Sequence, residues 1–247
     1  MSFEGIRRVL ATLHAKGARY LYLQGGEPFV WRDGGKNLGD VVEESKRAGF
    51  FHVTVCTNGT YPLDAEPDSF SLSIEGCPEH HDAIRCGSYA RVMENVAASM
   101  HSRIFINATF NRINGGDLDI LAELARSSSR LQGLLVNFHI PYPGVEHLAL
   151  PAEQRRALAL RALELKRKGF PILNTSEGLQ ALARNDWKRP LDFSVVTDGT
   201  TFYSCCRARG QEQICAECGY GGWAELAQVY AWNWRSIPEV LMRLNQR

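Results

Sequence analysis

Residues 19–24 read RYLYLQ, residues 52–57 HVTVCT and residues 70–75 FSLSIE. Each of these β-rich runs stops on a turn signal: Gly25-Gly26 after the first, Asn58-Gly59 after the second, Gly76 after the third. Working outward, Ile6, Leu10 and Leu13 recur at helical spacing from Phe3 to Lys16, and Gly17 supplies a C-terminal stop. A helix from about Leu38 to Arg47 fills the gap between the first two runs. Downstream the alternation continues with helix 88–101, strand 104–109, helix 117–128 and strand 133–139. Strands that alternate with helices pair in parallel through crossover connections, which predicts an α/β fold built as a partial or full (β/α) barrel. The polar, Gly-rich turns all follow strands, at the end where such folds place their sites.

Residues 151–168 (PAEQRRALALRALELKRK) form a long amphipathic helix opened by Pro151. The pattern changes after about residue 185. Phe193 to Thr197, Asp198-Gly199 and Thr201 to Ser204 make a hairpin that leads into a cysteine cluster, and a last helix is expected near 236–245. The predicted division is therefore a barrel domain over residues 1–185 and a small cysteine-rich region over 186–247. Trp232-Asn233-Trp234 reads as packing for that region.

A chain of 247 residues with 45% hydrophobic and 22% charged residues has ample material for a core. Its 28 basic and 27 acidic residues show no sign of a sequence-independent polyanion-binding surface, so nucleic acid is not expected, and a local basic patch is left open. No apolar run reaches the roughly 18 to 20 residues of a membrane span, and residues 1–20 lack the features of a secretion signal. The expectation is a cytoplasmic protein without a membrane partner. Four of the seven cysteines, Cys205, Cys206, Cys215 and Cys218, fall within residues 205–218. In a chain without a secretion signal, such density favours metal over disulfides.

Two sets of residues carry chemistry. Gln24-Gly25-Gly26-Glu27-Pro28 follows the first run, where two glycines let a ligand approach the backbone and a carboxylate can accept from an ammonium group. Thr57-Asn58-Gly59, Ser73-Ile74-Glu75-Gly76 and His81-Asp82-Ala83-Ile84-Arg85 follow in order. In the tail, Cys205-Cys206 and Cys215-Ala216-Glu217-Cys218 suit a thiolate site for iron-sulfur or zinc, either with all four or with three and an outside ligand. A structural zinc knuckle and unligated thiols are the alternatives there. His139, Pro141 and Pro143 end the last strand, with His139 a structural or substrate-contacting residue.

GGEP at 25–28, TNG at 57–59, SIEG at 73–76 and HDAIRCGSY at 81–89, with Asn107 on the next strand, together resemble the radical S-adenosylmethionine (SAM) superfamily, in its SPASM and twitch-containing branch. The resemblance covers about residues 1–145, and the tail more loosely. It implies that Gly25, Gly26 and Glu27 bind the methionyl ammonium of SAM, that Ser73 lies near the ribose or the methionine carboxylate, and that Arg85 faces a carboxylate. A strand-end hydroxyl and a surface ion pair remain the plain readings of Ser73 and Arg85, and Asn58 reads better as a left-handed turn residue than as a ligand contact. The family further implies a 4Fe-4S cluster, a small-molecule or peptide substrate, and an electron donor such as flavodoxin or ferredoxin. Asp198-Gly199 ahead of the cysteines looks like the start of an auxiliary-cluster region, with Cys218 to Trp223 wrapping it through backbone amides.

Two departures stand out. The CxxxCxxC loop that supplies the family's three cluster thiolates is absent, and Cys56, Cys77 and Cys86 fall on separate elements and read as small buried hydrophobes. The family's aspartate in the third motif is Glu75. The first element is a helix where a barrel opens with a strand, so the expectation is that one strand and the cluster loop are missing, leaving an exposed edge at 19–24. Two rival readings are a degenerate paralogue acting as a binding or partner subunit, and an unrelated (β/α)-barrel enzyme with a zinc tail.

Overall fold

The structure is a computed structural model, and it describes residues 1–231. Five parallel strands, β1 (Tyr20–Leu23), β2 (His52–Thr57), β3 (Ser69–Ser73), β4 (Ile104–Phe110) and β5 (Leu131–Phe138), lie in the order β1-β2-β3-β4-β5. The predicted alternation is thus realised as a partial barrel sheet in which every neighbour in sequence is a neighbour in space. Helices α1 (Phe3–Ala15), α2 (Leu38–Arg47), α3 (Pro78–Arg85), α4 (Tyr89–Ala98), α5 (Leu118–Ser127), α6 (Ala152–Arg167) and α7 (Ser176–Arg184) make the connections and the outer layer. A hairpin of β6 (Val195–Thr197) and β7 (Phe202–Ser204), then α8 (Glu212–Ala216) and α9 (Gly221–Tyr230), complete the described chain. The helix expected near 236–245 and the packing expected of Trp232 and Trp234 lie outside the described residues.

The strands sort their side chains by parity. Val53 and Val55, Phe70 and Leu72, and Ile104, Ile106 and Phe110 are buried in the helix-facing core. The opposite parity is polar: His52 and Thr54 on β2, Ser69, Ser71 and Ser73 on β3, Asn107 and Thr109 on β4, and Asn137 on β5. The Ser69 hydroxyl joins His52 Nε2 at 3.0 Å and Thr54 Oγ1 at 3.0 Å, so the inner face satisfies its own polar atoms across strands.

β1 pairs with β2 alone among the described residues, and its inner-parity side chains Tyr20 and Tyr22 are 52% and 53% exposed. The strand at 19–24 is an edge, as the sequence predicts. The other edge is covered. Residues 171–174 run beside β5, where Leu134 donates to Pro171 O at 2.8 Å and the Asn174 side chain stands in for a strand partner, bonding Val136 N (2.8 Å) and Val136 O (3.0 Å). One buried cluster extends from Phe29 to Ala227 and takes in Trp187, Leu191, Cys205 and Ala224 beyond residue 185. No helix among the described residues is long and apolar enough to cross a membrane.

Four helices, α3, α7, α8 and α9, were not foreseen. In α3, Pro78 sits in the first turn, where its missing N–H costs nothing, but Cys77 offers no side-chain cap, so residues 77–87 read as loop. The Thr175 hydroxyl caps α7 by accepting from Gly178 N at 2.9 Å. In α9 the opening Gly221-Gly222 disguises an apolar run that docks on α7, with buried Glu225 accepting from Thr175 N at 2.9 Å.

Candidate active site at the strand ends

Three of the sequence motifs stand at the C-terminal ends of the parallel strands β1, β2 and β3, and the fourth lies on α3, which follows β3. Glu27 ties the first to the second. Its Oε1 accepts from Thr57 Oγ1 (2.8 Å) and Phe29 N (3.1 Å), and its Oε2 from Asn58 N (2.8 Å). A carboxylate offers about four lone-pair positions, so one on Oε2 is left for an ammonium donor. Gly25 and Gly26 need no glycine for packing: an added Cβ would meet nothing within 4 Å, and neither has a left-handed φ. The bare backbone is thus open to a ligand. Asn58 is a turn residue, its Oδ1 accepting from Thr60 N at 2.9 Å, but the left-handed conformation expected of it falls on Gly59, at φ 76°.

Glu75 organises the third and fourth motifs. It is 2% exposed, and its carboxylate takes the Arg85 Nε at 3.0 Å, Arg85 Nη2, and Thr109 N at 2.9 Å. The longer side chain in place of the family's aspartate therefore spans from the third motif to β4. Arg85 spends its fork on this carboxylate while remaining partly exposed. His81, fully buried, accepts from Glu75 N through Nδ1 (3.2 Å), which leaves its proton on Nε2, donated to Ser88 Oγ at 3.1 Å. Burial lowers the His81 pKa and holds the ring neutral. Asp82 Oδ1 accepts from Tyr89 N at 2.8 Å and closes the turn into α4. HDAIRCGSY is in this way a brace for the loop after β3.

Ser73 pairs in register with Asn107 on β4, and Asn107 Oδ1 accepts from Asn137 Nδ2 at 2.6 Å. Asn137 Oδ1 then receives Gly221 N at 2.9 Å, and Phe138 N donates to Gly219 O at 2.8 Å. A Cβ on Gly219 would collide with Phe138, and one on Gly221 with Val136 O. CGYGGW therefore seats on β5 through Gly219 O and Gly221 N, while the Tyr220 N–H of the same segment turns to the Cys218 sulfur. Tyr220, between them, has its hydroxyl buried near Tyr22 and Cys56, and burial raises its pKa. His139 is held in its own loop, Nε2 donating to Val145 O at 3.0 Å.

The four tail cysteines are neighbours. Burial raises the pKa of Cys205, helped by Cys206 and Cys215, and burial likewise raises that of Cys218, against the Tyr220 N–H and the Arg189 cation. Burial raises the Tyr142 pKa, and the four cysteines add to the shift. Among the described residues, no three of these sulfurs are within 4.8 Å of one another. Cys205 holds a left-handed φ of 68°, uncommon for a residue with a Cβ, with its N–H on Ser194 O at 2.7 Å. The CxxC turn is gripped by a residue the sequence reading passed over: buried Arg155 of α6 donates to Glu217 O (2.9 Å) and Cys218 O (2.7 Å). Of the remaining cysteines, burial pushes the Cys56 thiol up to about 11, whereas Cys86 is exposed at the end of α3, unlike the buried role expected of it. A surface cleft of about 490 Å³ between the loop after β4 and α6, flanked by Arg112, Leu150 and Arg161, includes none of the predicted site residues.

No curated protein matches the chain. Among solved structures, one described as native anSMEcpe with bound AdoMet superposes with a TM-score of 0.53, covering 100% of this chain and 90% of that chain at 13% identity. At that identity the likeness establishes the fold alone. The family model of the radical SAM superfamily matches residues 1–125, the span that runs from α1 into α5 and contains GGEP, TNG, SIEG and HDAIR. The chain belongs to the radical SAM superfamily.

Proposed function

We propose that this chain binds S-adenosylmethionine at the ends of β1 to β3 and serves a radical SAM enzyme of the SPASM and twitch-like branch. The observation that carries the reading is the open Gly25-Gly26 backbone beside a Glu27 carboxylate with one acceptor position to spare. Glu27 would accept from the methionyl ammonium, and Ser73 would meet the ribose or the methionine carboxylate. Arg85 would meet a carboxylate of the cofactor through its partly exposed side, while Glu75 fixes its position. When bound, SAM at a reduced 4Fe-4S cluster supplies a 5′-deoxyadenosyl radical that takes hydrogen from a substrate. The sequence holds no CxxxCxxC, and Cys56, Cys77 and Cys86 lie on β2 and at opposite ends of α3, so a cluster on this chain would need ligands other than that motif. Its part is to bind, orient and exclude water.

The tail would hold an auxiliary group on Cys205, Cys206, Cys215 and Cys218. A tetrahedral zinc site needs sulfurs about 3.8 Å apart, given bonds near 2.3 Å. An iron-sulfur cluster, whose thiolates bind different irons, and a zinc ion both match this donor set. The substrate is a small molecule or a peptide, the electron donor a flavodoxin or ferredoxin, and the setting the cytoplasm.

The lack of a CxxxCxxC favours a second reading, a binding or partner subunit without radical chemistry. Anaerobic incubation of the full chain with iron, sulfide, dithionite and SAM separates the two. Formation of 5′-deoxyadenosine supports the enzyme. SAM binding without cleavage supports the subunit, and absence of SAM binding rejects both.

A further inference from the structure

Cys77 and His80 at the start of α3 come together with Asp117 at the start of α5, and one ligand atom from each falls within 4.8 Å of the other two. Asp117 is 4% exposed and stands at the N-cap of α5, yet its carboxylate makes no bond to its own helix. An N-cap aspartate ordinarily accepts from the first turn of the helix it opens. Here Oδ2 is turned across to α3, accepting from Cys77 N at 2.9 Å and bonding His80 Nδ1 at 2.7 Å. Gly76 makes room for it: a Cβ there would overlap Asp117 Oδ2. Cys77 and His80 share the first turn of α3 in a C-x-x-H spacing, with Pro78 fixing the turn between them.

We propose that Cys77, His80 and Asp117 bind a thiophilic divalent cation, Zn²⁺ being the best match. A thiolate, an imidazole and a carboxylate are the ligand types zinc accepts, and a thiolate with a carboxylate neutralises its charge. On binding, the Cys77 thiol proton leaves to solvent. The proton between His80 Nδ1 and Asp117 moves to Nε2, freeing Nδ1 as a ligand. His80 is partly exposed, so water completes the fourth position. The ion would join the starts of α3 and α5 and so clamp the loop that carries Glu75.

The test reads Cys77 itself and needs no SAM. Iodoacetamide modification of the folded full chain, followed peptide by peptide with mass spectrometry, is compared with and without Zn²⁺. Cys77 alkylation is expected to slow by about tenfold or more with Zn²⁺, because a coordinated thiolate is shielded from the reagent. His80→Gln should abolish this protection while leaving the tail cysteines as in the parent. Zinc content should fall by one equivalent in Cys77→Ser, with far-UV circular dichroism unchanged. Equal alkylation rates with and without Zn²⁺, or protection that survives His80→Gln, would show that the three residues form only a hydrogen-bonded helix cap.

Discussion

Glu27 and Thr57 are joined by a 2.8 Å hydrogen bond from the threonine hydroxyl to the carboxylate, so the turn after β1 is positioned by the end of β2. The same carboxylate holds the Asn58 amide. Glu27 thus has a structural task and a binding task, which mutations can separate.

Because a Cβ at Gly25 or Gly26 meets nothing in the protein, Gly25→Ala and Gly26→Ala should leave the melting temperature unchanged or slightly raised, by less than about 1 kcal/mol in stability. Both should weaken SAM binding. Calorimetric unfolding and a binding titration on the same preparations check the pair of outcomes.

Arg85→Ala strips the Glu75 carboxylate of its cation while Thr109 N remains. Because Arg85 is partly exposed, the loss is smaller than for a fully buried pair, about 2 to 3 kcal/mol, read by denaturant titration. Arg85→Lys, which lacks the fork, should recover only part of it.

Burial lowers the pKa of both His52 and His81. The unfolded chain then binds protons that the folded chain refuses below about pH 6.5. This contribution to stability is fully present above that pH and declines as pH falls toward the folded values. Unfolding free energies measured from pH 7.5 down to 5.5 should decrease, with a shallower slope in His52→Asn.

Arg155→Leu removes the donors to Glu217 O and Cys218 O from a buried position. Limited proteolysis should then cut first beyond residue 185, and less auxiliary metal should be retained than in the parent. Unchanged cleavage and metal content would mean the CxxC turn is held by other contacts.

The strands and most helices of the barrel were legible because period-two runs ended on glycine and alternated with helical spacing. The edge at β1 followed from the same order. Local signals faded where tertiary contacts decided the outcome. CGYGGW reads as loop, since the need for Gly219 and Gly221 arises from β5, far away in sequence. Arg155 looks like one more cation on an amphipathic helix until the CxxC carbonyls arrive from the tail. The motif residues were found by type, but the pairing of Glu75 with Arg85 needs two elements in contact. The signal that could have revealed α7 was Thr175 followed by Leu179 and Leu182, a cap before helical apolar spacing.

The central claim is SAM recognition at GGEP, and equilibrium titration of SAM into the full chain and into Glu27→Gln tests it most directly. Replacing the carboxylate by an amide keeps an acceptor for Thr57 but removes the charge offered to the ammonium. Affinity should fall by about tenfold or more, in line with the loss of a charge-assisted hydrogen bond. Equal affinity in the two proteins, or no SAM binding by the folded parent, would contradict the account.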